Sequence, residues 1–228
     1  MRLKRVEEIA SGTLAYYFER PASFHFVAGQ FVELSLKEQA PDDPYRSFSI
    51  ASCPSEPDLM IATRNRDSQF KQALRSLPEG SEVQIDGPYG KLHHMPGGGL
   101  HHVFIAGGIG ITPFRGIMIE VAAHPGPEPL TLFYANRELE DGAFLDELTQ
   151  LTSETTVFRL VVTLTRPTPG WAGERGYIDG PMLARYVDPL EAQYYVSGPE
   201  AMVAATKMML AGLGVPAGRV QSETFSGY

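Results

Sequence analysis

The stretch HVFIAGGIGITPF (His102–Phe114) decides the fold. Its first half is an apolar run without a polar break, the pattern of a strand covered on both faces by a parallel sheet. Gly107, Gly108 and Gly110 then permit tight turning and close backbone approach. Pro113 suits a first helical turn, where its missing N–H is not needed. A helix over about Thr112–Ala123 points unpaired N–H groups and a positive dipole end forward, which favours a phosphate. Taken alone, the pattern fits a plain strand–turn–helix corner as well as a phosphate cradle. Its position argues for the cradle, because ligands of such sheets sit outside the carboxyl ends of the strands. The dinucleotide fingerprint is incomplete: Pro113 stands at its third glycine. The next strand ends in Asn136-Arg137, with no acidic residue there to grip a ribose diol.

Strand and helix patterns alternate to the C-terminal side. LTLFYANR reads as a strand, GAFLDELTQL as a helix, VFRLVVTLT as a strand, GPMLARYV as a short helix, AQYYVSG as a strand and PEAMVAATKMMLAGLG as a helix. That order predicts a doubly wound parallel α/β domain over residues 98–228. To the N-terminal side the rhythm is different. TLAYYFERP and GQFVELSL carry short or alternating apolar runs, with Val32, Leu34 and Leu36 opposite Phe31, Glu33 and Ser35. Further strands are expected around Phe48–Ala51, Asp58–Thr63 and Glu82–Ile85, with one helix at about Ser68–Leu77. This spacing predicts a small antiparallel β-barrel over residues 1–97. The Pro/Gly-rich residues 96–99 form the natural boundary.

Composition narrows the function classes. The 228 residues are 43% hydrophobic and 20% charged, as in soluble globular proteins, and suffice for two domains. No apolar run reaches the ~20 residues a membrane helix needs, and MRLKRVEEIASG has no signal-peptide core, so a cytoplasmic protein without a membrane partner is expected. The single cysteine, Cys53, excludes an internal disulfide and a cysteine-held iron–sulfur cluster within this chain. The net charge of −8 argues against a nucleic-acid partner. The charge is uneven: eleven basic residues face thirteen acidic ones in 1–97, and eight face fourteen in 98–228. A bound phosphate therefore needs local arginines or backbone N–H groups.

RSFSIAS (Arg46–Ser52) supplies such an arginine, set among hydroxyls where a plain barrel strand would alternate apolar residues. RSFSIAS, GPYG, AGGIGITPF, YYVSGPEAM and the terminal SETFSGY occur in that order, and together they make the chain resemble the ferredoxin–NADP reductase superfamily. The resemblance covers nearly the whole chain. It implies an FAD-binding barrel joined to an NAD(P)-binding α/β domain, in a form without an iron–sulfur domain. RSFS matches the family's Arg-x-Tyr-Ser motif, with Phe48 in place of tyrosine. It implies that Arg46 pairs with the FAD pyrophosphate beside Ser47, that Phe48 packs on the isoalloxazine, and that Ser49 reaches the N5 edge. Ile61, Ala62 and Thr63 would line the adenosine side. Ser68 would touch the pyrophosphate, although RDSQF lacks the family's glycine. GPYG fits the turn closing the barrel or a ligand contact equally.

In the second domain the resemblance implies that Gly107, Gly108, Ile109, Gly110 and Thr112 hold the pyrophosphate of the nicotinamide nucleotide. Ser197 falls where several relatives carry a cysteine near the nicotinamide, and Gly198, Pro199 and Met202 open the next helix beside the nucleotide. Thr165 and Arg166 resemble a pair that reads a 2′-phosphate, with Arg137 nearby. Arg175 and Tyr177 resemble a later basic residue and an adenine-stacking tyrosine. NADPH is therefore the expected reductant, with NADH the alternative. Glu223 would lie near the reactive edge, and Phe225 or Tyr228 would cover the flavin; a final sheet strand with a loose tail is the competing reading of that segment.

Several residues have plainer readings. His93, His94, His101 and His102 read as exposed linker residues and not as a metal site, because neighbours on a strand point to opposite faces. Cys53 reads as a small buried hydrophobe. Met202, Met208 and Met209 read as helix core. Arg64, Arg66, Lys71 and Arg75 form either a solvated face or a dock for an acidic electron partner.

The expected function is hydride transfer from NAD(P)H to FAD, with Ser49, Ser197 and Glu223 at the reacting edge. Electrons would then pass to a protein acceptor such as a ferredoxin or an oxygenase component. A reductase of free flavin or of a small quinone is the competing enzyme reading, and a non-catalytic redox-sensing or electron-transfer module is the alternative of another class.

Overall fold

The computed structural model describes residues 1–225, so Tyr228 lies outside the described residues. The N-terminal unit is built from two three-stranded antiparallel sheets. β1 (Leu3–Ala10), β2 (Thr13–Glu19) and β5 (Asp58–Arg64) form one, in the order β1-β2-β5. β3 (Phe31–Ser35), β4 (Tyr45–Ser49) and β6 (Gln84–Tyr89) form the other, in the order β4-β3-β6. A bridge between Ile50 and Ile61 joins them. β2 turns Tyr16 and Phe18 inward, and β3 turns Val32 and Leu34 inward, so the two sheets close over Phe18, Val32, Leu34, Ile50 and Phe70. Phe70 comes from α1 (Gln69–Arg75), which begins at Ser68: the Ser68 hydroxyl accepts a hydrogen bond from the Lys71 N–H at 3.2 Å. That cap satisfies one of the unpaired donors of the first turn.

The C-terminal unit is one parallel sheet of six strands in the order β10-β9-β8-β7-β11-β12. β7 (His101–Gly107) is buried from His102 onward, as its apolar run requires. It leads through a single 3₁₀ turn, Gly108–Ile111, into α2 (Thr112–Ala123). β8 (Leu130–Asn136), α3 (Leu145–Glu154) and β9 (Phe158–Leu164) follow. The short β10 (Glu174–Arg175) and α4 (Gly180–Ala184) precede β11 (Ala192–Pro199), α5 (Glu200–Gly212) and the edge strand β12 (Val220–Phe225). β11 pairs in parallel with β7 on one side and β12 on the other, which sets Ser197 between Ala106 and Glu223. Residues 90–100, between the two units, carry neither helix nor strand.

The expected architecture stands, with local corrections. β1 was not anticipated. β6 takes up Gly87–Tyr89, so GPYG is mostly strand and not a closing turn. The terminal segment is a sheet strand through Phe225. The linker histidines are not simply exposed: His102 is buried, and His94 stands edge-on to it with ring centroids 4.7 Å apart. Tyr195 stacks on Phe104 at 4.4 Å in the same cluster. Burial, with the nearby His102 charge, pushes the His94 imidazole down to about 4. Met208 is 76% exposed, because α5 buries Val203, Thr206 and Leu210 and turns Met208 away. Cys53 is buried, as a small hydrophobe would be.

The two units share a core. Met60 and Ala62 of β5 and Ala51 pack in one cluster with Phe104, Ile109, Ile111 and Phe114 of the α/β unit.

Candidate active site

A cleft opens where the β4 edge of the barrel meets the glycine turn. Arg46, Ser47, Phe48 and Ser49 from β4 line one wall, joined by Ala62 and Thr63 from β5. Arg66, Ser68 and Lys71 close one end, while Ile109, Thr112 and Phe225 come from the α/β unit. Burial deepens along β4: Arg46 is half-buried at the rim, whereas Phe48 and Ser49 are buried. Ile61 is the exception among the expected residues. Its side chain is fully buried in the barrel core and does not line the cleft.

The cationic end has the character of an anion site. Lys71 is held below its usual pKa, first by burial and then by the charges of Arg66 and Arg46. Such crowding of like charges is relieved by a polyanion. Arg46 itself engages both carboxylate oxygens of Asp43 and the Tyr45 carbonyl at 2.8 Å, and lies over the Phe70 ring. Ser68, whose hydroxyl caps α1, stands beside Lys71 in the same wall.

At the opposite end the two units touch. Ser49 donates a hydrogen bond to the Glu223 carboxylate at 2.8 Å, linking residues 174 apart in sequence. Burial pushes the Glu223 carboxyl above its usual range, and the Ser49 bond offsets part of that rise. Phe225, two residues on, reaches the cleft.

The glycine turn meets the requirements of close approach. A Cβ on Gly110 would lie 2.3 Å from the Ser197 carbonyl oxygen, and one on Gly107 would lie 2.1 Å from the Met202 sulfur. Gly108 has φ +52° and open space beyond it, so this backbone can meet a ligand. Ser197 is fully buried with its hydroxyl unpaired among the described residues, and Gly198 and Pro199 continue from it into α5. At the carboxyl edge of the sheet, the Arg166 N–H donates to the Arg137 carbonyl at 2.7 Å and the Thr165 N–H to that of Asn136 at 3.0 Å. Both arginine side chains are exposed there. Arg137 also pairs with Asp141 at 3.1 Å. Arg175 donates to the Trp171 carbonyl, and Tyr177 is 83% exposed on the same loop, so it is not a core tyrosine.

Comparison with known proteins identifies both units. An oxidoreductase FAD-binding domain is matched over residues 1–94, and an oxidoreductase NAD-binding domain over residues 104–208. The chain is 30% identical to ferredoxin–NADP reductase B of Sorangium cellulosum, over 98% of this chain and 96% of that one. The chain belongs to the ferredoxin–NADP reductase family. Other members of the family include the glycine betaine monooxygenase reductase subunit of Pseudomonas aeruginosa, 29% identical over 93% of this chain. That match covers 60% of the subunit, and a stachydrine N-demethylase reductase subunit of Rhizobium meliloti is matched over 64% of its length, so the chain spans under two thirds of these relatives. The fold matches a Neisseria gonorrhoeae ferredoxin NADP+ reductase with bound FAD and NADP, at TM-score 0.83 and 22% identity, over 98% of this chain and 96% of that one. An Amycolatopsis cytochrome P450 reductase gives TM-score 0.86 at 24% identity, over 98% and 68%. This chain is therefore an NAD(P)H-dependent flavoprotein oxidoreductase with FAD- and NAD-binding domains.

Arg64, Arg66 and Lys71, read from sequence as a solvated face or a dock for an acidic partner, all line the cleft, and Arg64 pairs with Asp141 of the α/β unit at 3.1 Å. Sequence reading missed Arg115, which lies behind the cleft; the lone cation of α2 was its only signal.

Proposed function

We propose that the chain passes reducing equivalents from NADPH, with NADH as a second donor, to FAD held in this cleft and then to a redox protein acceptor. The observation that carries the reading is the Ser49–Glu223 hydrogen bond. It joins the barrel's flavin motif to the sheet strand beside Ser197, which sets a polar reacting edge between the FAD-binding and NAD-binding units. FAD supplies the hydride-accepting and single-electron chemistry. Arg46, Arg66 and Lys71 hold its pyrophosphate, with Ser47 and Ser68 as hydroxyl contacts. Phe48 packs on the ring. Ala62 and Thr63 line the adenosine side. Phe225 covers the ring and moves aside for the nucleotide. The turn Gly107–Thr112, with Gly198, Pro199 and Met202, holds the nicotinamide nucleotide, and Ser197 orients its reactive end. Arg137, Thr165 and Arg166 meet a 2′-phosphate, while Arg175 and Tyr177 receive the adenine. The backbone bond between Arg137 and Arg166 supports NADPH, since it sets two exposed cations side by side.

The acceptor is an acidic electron-transfer protein such as a ferredoxin or oxygenase component. The glycine betaine monooxygenase and stachydrine N-demethylase reductase subunits among the relatives support a protein acceptor. A visible spectrum of the purified protein with anaerobic NADPH and NADH titrations tests the reading: flavin present and bleached supports it, and flavin left oxidised by both nucleotides refutes it. Arg46→Ala should release FAD, and full retention would remove that assignment. Arg166→Ala should weaken NADPH at least tenfold more than NADH; equal effects would remove the 2′-phosphate role.

A further inference from the structure

Directly behind the cleft, a buried guanidinium ties the two units together. Arg115 lies on α2, three residues after Thr112 of the cleft wall, and its side chain is 7% exposed. It donates to the carbonyl of Ala51 at 3.0 Å, two residues after Ser49 of the opposite wall. It also donates twice to Glu56 of the barrel, at 2.8 and 3.0 Å, and twice to Glu147 of α3, at 2.7 and 2.6 Å. Glu56 is fixed in turn by the Cys53 N–H at 2.6 Å. Five donated bonds in a planar fork leave Arg115 a single orientation.

Two further observations place the tie under close steric control. The backbone of Gly116 abuts the barrel, and a Cβ there would lie 2.6 Å from the Ser52 carbonyl oxygen. Phe144, whose ring lies 5.2 Å from the Arg115 guanidinium carbon, has φ +59°, a conformation that non-glycine residues rarely hold unless their surroundings dictate it. Neither carboxylate and neither backbone contact belongs to the cleft itself, so a cofactor-binding role does not account for them.

We propose that Arg115 is a positioning residue for the reaction: by pinning Ala51 to α2 it sets the separation of the two walls between which hydride passes. Hydride transfer is steep in distance, and a displacement of ~1 Å can cost on the order of a hundredfold in rate. The proposal rests on the cofactor placement given above, which Arg46→Ala tests separately through flavin retention.

The test compares the parent protein with four variants, flavin-loaded except where stated. Glu56→Gln weakens the tie to the barrel, Gly116→Ala wedges the walls apart with Arg115 intact, and Arg115→Met removes the tie outright. Anaerobic rapid mixing with NADPH gives the limiting rate of flavin bleaching and the nucleotide Kd in one titration. Hydrogen exchange of the amides of residues 51–56 in cofactor-free protein gives a reading independent of turnover. The expected result is a limiting rate at least tenfold lower in Glu56→Gln and Gly116→Ala. Kd should stay within threefold, and exchange at residues 51–56 should be faster. Arg115→Lys should recover part of the rate lost in Arg115→Met. Limiting rates within twofold of the parent in both Glu56→Gln and Gly116→Ala would overturn the proposal, as would a loss confined to Kd. If Arg115→Met does not fold, those two variants decide the matter alone.

Discussion

Adding one methyl group to Gly110 and adding one to Gly107 should have very different costs, although the two lie three residues apart in the same turn. At Gly110 the new Cβ meets backbone on every near side: the Ser197 carbonyl oxygen at 2.3 Å, its carbon at 2.6 Å and the Gly198 Cα at 2.7 Å. These atoms belong to β11, which is paired on both edges and cannot retreat without breaking a ladder. Overpacking of that kind costs about 1–3 kcal/mol, and each kcal/mol lowers Tm by about 2–4 °C in a chain of this length. Gly110→Ala should therefore lose roughly 2–12 °C and weaken NADPH at least tenfold. At Gly107 the near atom is the Met202 sulfur at 2.1 Å, the far part of an unbranched, half-buried side chain. Met202 can swing aside, so Gly107→Ala should cost less than about 1 kcal/mol. Combining it with Met202→Ala should then add nothing beyond the loss of Met202 itself. Thermal unfolding and nucleotide titration of the two single variants decide it. Equal Tm losses, or a smaller loss for Gly110→Ala, would refute the packing argument.

Two further predictions concern pH. Burial raises the Glu223 carboxyl, so the fold favours its neutral form, and the corresponding stability is lost as pH rises through the folded pKa. Glu223→Gln keeps an acceptor for Ser49 and should raise Tm at pH 7–8, with the gain fading as pH falls below the ordinary value of 4.5; a melt series across pH checks it, and destabilisation at every pH would contradict it. His94 shifts the other way, from 6.5 to about 4, so its contribution is present above its ordinary pKa and lost as pH falls between those values. For a half-buried imidazole this amounts to about 1–2 kcal/mol after solvent screening. His94→Phe should keep the aromatic packing and flatten the decline in stability between pH 7 and pH 4; an unchanged decline would assign the acid sensitivity elsewhere.

Much of the fold was legible because its strongest patterns are local. β7 shows its burial on both faces as an unbroken apolar run, and α2, β8, β9 and β11 fall within a few residues of their expected bounds. β1 was not legible: LKRVEEIA fully buries only Leu3, and its charges hide the strand period. The histidine cluster escaped because Tyr195, which completes it, is 93 residues from His102. In the site, β4 and the glycine turn announced themselves through residues that a plain strand or helix would not carry. Arg115 did not, since its barrel partner Glu56 is 59 residues away. The side-chain direction of Ile61 was not legible either: in a strand buried on both faces, sequence alone does not say which residue looks into the barrel and which into the cleft.

The core shared by Met60 and Ala62 of the barrel with Phe104, Ile109 and Ile111 of the sheet bears on how this enzyme can be recombined. The two matched domains invite exchange, since each corresponds to a separate family description. A chimera that cuts between residues 90 and 100 would carry over only half of that seam. Recombination that preserves activity must therefore transplant a patch on each side of the junction together with the chosen domain. On the 2′-phosphate role proposed for Arg166, specificity for the nicotinamide nucleotide is then better altered at such an exposed position than by exchanging the whole unit.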